Sequence, residues 1–169
     1  MEFLSRILDG TISYDLKDAL RSSVSPGYRV SRDEKIRHLE KVPILAECTQ
    51  RQLRAVAALS KVVEMPAGSV LMRAGEPGDE FFVIIDGAAI VELSPRKRRR
   101  MGPGEFLGEM SLLDGEPRSA TVRAETDMRL LVVVRRHFQG LLTEVPDLTV
   151  RILGTLSRRI RQLEQPLDK

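Results

Sequence analysis

VVEMPAGSVLMRAGEPGDEFFVIIDGAAIVELS, residues 62–94, alternates short apolar runs with turn signals. The runs are Val62–Met65, Ser69–Met72, Glu80–Asp86 and Ala88–Leu93. Between them stand Pro66-Ala67-Gly68, Gly75-Glu76-Pro77-Gly78-Asp79, Asp86-Gly87 and Ser94-Pro95. Each run is rich in Val, Ile, Leu or Phe and too short for a stable helix, so each reads as a strand. Thr121–Ala124 and Met128–Val134 repeat the pattern further on. Close spacing of about eight short strands predicts a β-sandwich, jelly roll or barrel.

Helical patterns flank the strands. Thr49 and Gln52 stand as an N-cap and its N3 partner, a capping box, ahead of the apolar face Leu53, Val56, Ala57 and Leu59. Residues 1–41 form a charged extension with apolar stripes at Phe3, Leu4, Ile7 and Leu8 and at Leu16, Ala19 and Leu20. A break follows at 22–27, then a charged helix from Arg32 to Val42, stopped by Pro43. After the strands come a short helix, His137–Leu142, and a longer one from Pro146, ended at Gln165-Pro166. The longer helix carries Leu148, Ile152, Leu156, Ile160 and Leu163 on one stripe, with Arg158, Arg159 and Arg161 mainly off it. The chain thus divides into a helical extension, 1–41, and a mainly β domain, 42–169.

Composition narrows the function classes. The 169 residues carry 42% apolar and 30% charged side chains, which fits a folded core. The net charge of +3 is too small to demand a nucleic-acid partner. Cys48 is the one cysteine, so neither a disulfide framework nor a cysteine metal site is expected. No apolar run approaches the roughly 18 residues of a membrane span, and the acidic N-terminus is unlike a signal peptide. A cytoplasmic location is expected. His38 and His137 stand apart, with no cluster of metal ligands and no Ser-His-Asp or Cys-His arrangement, so neither a metal, a cofactor nor a catalytic residue is expected.

The segment FLGEMSLLDGEPRSATVRA, residues 106–124, carries the chemistry. Gly108-Glu109-Met110-Ser111 opens a short helix whose first N–H groups favour an anion, and a glycine there lets a ligand approach the backbone. Arg118 offers a planar fork for two phosphate oxygens. Glu109 has the wrong charge for a phosphate, but it accepts from a sugar hydroxyl. A ligand with one anionic phosphate and a neighbouring hydroxyl satisfies all three, and a cyclic ribonucleotide is such a ligand. The alternative is a structural ion pair between Glu109 and Arg118.

Residues 75–87 and 104–121 together resemble the cyclic nucleotide-binding domain family, that of the bacterial catabolite activator protein and the protein kinase A regulatory subunit. The similarity spans roughly residues 43–165. It implies an eight-stranded jelly-roll β-barrel with N-terminal helices and a C-terminal helix. The second motif resembles the family's phosphate-binding cassette. That resemblance implies that Arg118 holds the cyclic phosphate and Glu109 the ribose 2′-hydroxyl. Gly108, Met110, Ser111, Ser119 and Ala120 complete the ligand-binding set. Gly75 and Gly87 match structural turn glycines. In the catabolite activator the helix after the barrel supplies hydroxyls to adenine; the matching positions here are Leu163 and Glu164, and Leu163 is expected to cap the base by apolar contact. Ser119 leans toward cyclic AMP (cAMP), with cyclic GMP (cGMP) as the other option.

The expected function is a non-enzymatic cyclic nucleotide sensor that changes conformation and signals to a downstream protein. The stripe at 148–163 permits a homodimer through the 146–165 helix, or packing entirely within one chain. Pro95-Arg96-Lys97-Arg98-Arg99-Arg100 reads as a hairpin tip. A DNA-associated regulator using this basic 96–100 hairpin is the alternative function, and a nucleotide-independent interaction scaffold is another. DNA is not the expected partner: the given sequence ends where the helix-turn-helix of the catabolite activator would begin, and no aromatic residues interleave the basic run, which argues against single-strand binding.

Overall fold

The structure, a computed structural model, describes residues 31–42 and 45–165. The stripes expected within residues 1–20, the break at 22–27, and the stops at Pro43 and Pro166 lie outside the described residues. Two helices come first, α1 (Arg32–Glu40) and α2 (Gln50–Leu59). The strands are β1 (Lys61–Met65), β2 (Val70–Met72), β3 (Glu80–Asp86), β4 (Ala89–Ser94), β5 (Lys97–Met101), β6 (Phe106–Leu107), β7 (Thr121–Ala124) and β8 (Met128–Val134). Helix α3 (Glu109–Asp114) interrupts them after β6, and α4 (Arg135–Glu144) and α5 (Pro146–Glu164) follow.

The eight strands form two antiparallel four-stranded sheets, ordered β1-β8-β3-β6 and β2-β7-β4-β5, the jelly roll expected. Glycines in the left-handed region turn the chain at 75 and 87. Strand β3 shows why the run Phe81–Ile85 is apolar throughout. Phe82 and Ile84 point into the barrel with Leu130, Val132 and Met65. Phe81 and Val83 point the other way, onto a second core with Leu53 and Val56 of α2, Phe138 of α4 and Leu148 and Ile152 of α5. Both faces of this sheet are buried, so alternation is lost. Fully burying one such phenylalanine is worth about 1.5–3 kcal/mol, and Phe81 and Phe82 are both at or below 1% exposure.

The flanking helices are locked by their ends. Thr49 Oγ1 accepts from Gln52 N (3.2 Å), and Gln52 Oε1 accepts from Thr49 N (2.9 Å), completing the capping box. Ser31 caps α1 through Glu34 N. Lys35 of α1 donates from Nζ to Ala57 O (2.9 Å) and Ser60 O (2.7 Å), neutralising the carbonyl end of α2. Ile36 and Leu39 of α1 lie in the same apolar core as α2. Helix α4 is longer than the 137–142 expectation, and Cys48 is only partly buried against this core.

The basic run is where the structure departs from the sequence reading. The tip of the hairpin is only Pro95-Arg96; Lys97–Met101 is strand β5, at the edge of its sheet. It pairs with β4 through Val91↔Arg99 and Glu92↔Arg98. The ladder satisfies its backbone, Met101 is buried, and Arg99 and Arg100 fold onto Glu105 (2.9 Å) and Glu125 (2.6 Å). An edge strand tolerates successive cations because its long side chains reach water or an acid, and they discourage pairing with another chain.

Candidate functional site

The site grows from the turn at residues 75–79. Gly75 N donates to Arg118 O, and Arg118 N donates to Glu76 O, both at 2.8 Å. This zips the backbone of Arg118 against the turn and aims its side chain inward. Arg118 is 5% exposed. Its Nη1 donates to Gly108 O (2.9 Å), and its Nη2 donates to Glu80 O (2.9 Å) and Glu80 Oε2 (3.2 Å). The guanidinium also stands 5.7 Å from the Phe82 ring centroid. Burial pushes its pKa down, and Glu80 pushes it back up.

Gly108 is the hinge into α3. Its φ of +87° is a left-handed conformation, and a Cβ there would lie 2.6 Å from Glu80 O. Helix α3 begins at Glu109 with no side-chain cap. Glu109 is 1% exposed, and its Oε1 accepts from Arg159 Nη1 of α5 at 2.7 Å. Arg159 Nη2 donates to Phe106 O (2.7 Å), and its guanidinium covers the Phe106 ring at 4.8 Å. Burial raises the Glu109 pKa above its ordinary value, opposed first by the charge of Arg159.

Glu109 and Arg118 are therefore not each other's ion-pair partner; each has its own, in Arg159 and Glu80 respectively. Arg159, expected mainly off the stripe of α5, turns inward instead. Ser111 is buried and Met110 half exposed. Ser119 is exposed, with Oγ 3.9 Å from Met110 Sδ, so these two side chains meet. Ala120 is buried inside the barrel. Leu163 is 67% exposed and belongs to neither apolar core, so the predicted base cap is not packed on the barrel. Among the described residues no cluster of three or more metal-ligand side chains occurs.

Sequence reasoning missed Glu80, Arg135, Arg159 and Gly78. Glu80 shares the inward row of Phe82 and Ile84 on β3, a period-of-two signal that pointed to it. Arg135 opens α4 and donates to Asp79 Oδ1 (3.0 Å), Gly78 O (2.8 Å) and Ser111 O (3.2 Å), tying the turn and α3 to α4. A Cβ at Gly78 would overlap Nε and Cζ of Arg118. Gly78→Ala is accordingly expected to push the guanidinium off its seat and weaken ligand binding about tenfold or more, equivalent to about 1.4 kcal/mol. Titration calorimetry beside a melting curve checks this; unchanged affinity would show that Arg118 has room to spare.

Comparisons with known proteins bear on the family and the fold. The family model described as "Cyclic nucleotide-binding domain" matches residues 62–144. A cyclic nucleotide-gated potassium channel of Mesorhizobium japonicum is 37% identical over 107 residues, which are 63% of this chain and 30% of the channel. A CRP-like cAMP-activated global transcriptional regulator of Mycobacterium tuberculosis is 31% identical over 121 residues, 67% of this chain and 54% of the regulator. Among solved structures, PKAR CBD2 bound to Sp-2Cl-cAMPS superposes with a TM-score of 0.66 at 27% identity, covering 82% of this chain and 96% of that one. The chain spans about a third of the channel's length and about half of the regulator's.

Proposed function

Residues 62–144 are a cyclic nucleotide-binding domain, and from that premise we propose that this chain is a non-catalytic sensor of a cyclic nucleotide, cAMP before cGMP, that signals through α5. The observation that carries the reading is a buried guanidinium and a buried carboxylate meeting at the start of α3: Arg118 donates to Gly108 O, and Glu109 is the helix's first residue. The fork takes the cyclic phosphate. Three hydrogen bonds to Glu80 and Gly108 fix its plane without using its Nε–H, so the remaining donors are preorganised for an anion. The carboxylate takes the ribose 2′-hydroxyl. Gly108, Met110, Ser111, Ser119 and Ala120 are the further residues that this reading assigns to the ligand. The related channel and regulator, cyclic nucleotide-gated and cAMP-activated by their names, support the ligand class.

The mechanism follows from Arg159. It joins α5 to Glu109, the residue that receives the sugar. A ligand hydroxyl on that carboxylate competes with or reinforces the pair, and so biases the position of α5. Movement of Leu163 from its exposed position onto the base would complete closure. The helix also exposes Val150, Leu153, Ile160 and Leu163, the surface through which a second copy would pair. In this reading the chain divides into an extension, 1–41, and a binding domain, 42–169, and the extension is assigned the role of passing the change to a downstream protein in the cytoplasm.

The test is a calorimetric titration with cAMP, cGMP and linear AMP in parallel. Saturable binding of a cyclic nucleotide, with linear AMP much weaker, is expected. No binding to any of the three would overturn the sensor and favour the interaction scaffold.

A further inference from the structure

The β4–β5 hairpin sorts its charges along its length. At the base, Arg100 is paired with Glu125 and Arg99 with Glu105. Toward the tip, Arg96, Lys97 and Arg98 are exposed and make no ion pair among the described residues. Glu92, directly across from Arg98, is taken by Arg123 of β7 at 3.7 Å. The register shifts between Glu92 and Ser94, so Leu93 is the extra residue of a bulge. It is 44% exposed, an apolar side chain beside three bare cations at the end of a hairpin.

We propose that the tip of this hairpin, Leu93 with Arg96, Lys97 and Arg98, docks on the surface of an anionic lipid bilayer. The chemistry of the four side chains selects this partner. Arginine and lysine stems lie along the apolar boundary while their heads reach lipid phosphates, and an apolar residue among them inserts below the headgroups. A nucleic-acid backbone would reward the cations but gain nothing from Leu93. Guarding a sheet edge would explain the cations of β5, but not an exposed leucine in the opposite strand. The association is weak and reversible: each basic residue near an anionic surface is worth about a fivefold factor in partitioning.

Flotation of the full chain with phosphatidylcholine vesicles, with and without phosphatidylserine, tests the proposal. Binding is expected only with phosphatidylserine, falling as salt rises. The combined change Arg96→Ala, Lys97→Ala and Arg98→Ala is expected to lower partitioning about a hundredfold. Leu93→Ser should lower it several-fold and leave the salt dependence in place. Melting curves and the nucleotide titration on the same variants show that the fold and site are intact; if the triple change fails to fold, Arg98→Glu alone serves. Equal recovery with both vesicle types, no recovery with either, unchanged partitioning of the variants, or retention on duplex DNA without vesicle binding would overturn it.

Discussion

Arg118→Ala is expected to weaken cyclic nucleotide binding about a hundredfold or more, because truncating one side of a buried, hydrogen-bonded charge pair costs on the order of 2–5 kcal/mol. The loss has two parts. The phosphate loses its fork, and the carbonyls of Gly108 and Glu80 lose their donor. Arg118→Lys separates these. It keeps the charge, but the three N–H groups of one ammonium cannot hold two carbonyls and a carboxylate and still donate to a phosphate. The lysine variant should therefore recover part of the stability and little of the affinity. Calorimetry and thermal unfolding on both variants read the two quantities separately. Affinity near that of the wild type in either variant would remove Arg118 from the binding site.

The second large effect belongs to Arg159→Ala. It leaves Glu109, at 2% side-chain exposure, without the partner 2.7 Å away. Stranding one member of a buried pair costs about 3–5 kcal/mol; Arg159 is itself 23% exposed, so a loss of about 2 kcal/mol is expected after allowing for solvent screening. The variant should also change the response to pH. Burial raises the Glu109 pKa above its ordinary 4.5. The folded chain then holds this proton to higher pH than the unfolded chain. The contribution of Glu109 to stability is therefore full below 4.5 and declines as pH rises through the raised value. Without Arg159 the pKa rises further and the decline extends to higher pH. Glu109→Gln abolishes it. Ligand affinity should run the other way and improve with pH, because an ionised carboxylate is the better acceptor for a hydroxyl. Unfolding free energies measured against pH for the three proteins check this, and a wild-type slope in Arg159→Ala would break the link between the two residues.

What the sequence disclosed, and what it hid, follows from the range of the signals. Strands β3, β7 and β8 were legible to the residue because turn residues bound apolar runs on both sides. The capping box of α2 was legible because it acts over three positions. Strand β5 was hidden: four of its five positions are charged, and only pairing with β4 makes them a strand. Arg118 and Glu109 were readable as a fork and an acceptor, since their chemistry is intrinsic. Their actual partners were not. Glu80 is 38 positions from Arg118, and Arg159 is 50 from Glu109, so only the closed barrel brings them together. Leu163 shows the opposite case. Its place on an apolar stripe is local and correct, but the stripe outruns the core that could bury it.

Helix α5 consequently has two grades of order. Leu148 and Ile152 are fixed in the core shared with Phe81 and Phe106, and Leu156 packs against it. Beyond them, Ile160 and Leu163 are exposed, and Arg159 is the inward attachment. A few turns of isolated helix cannot sustain themselves in water. Backbone amides near residue 152 should exchange with solvent only when the barrel opens, while those near 162 exchange each time a single guanidinium lets go. Under the proposed sensor reading, ionisation of one buried carboxylate is expected to change the length of ordered helix, a length that a neighbouring molecule would read without touching the nucleotide.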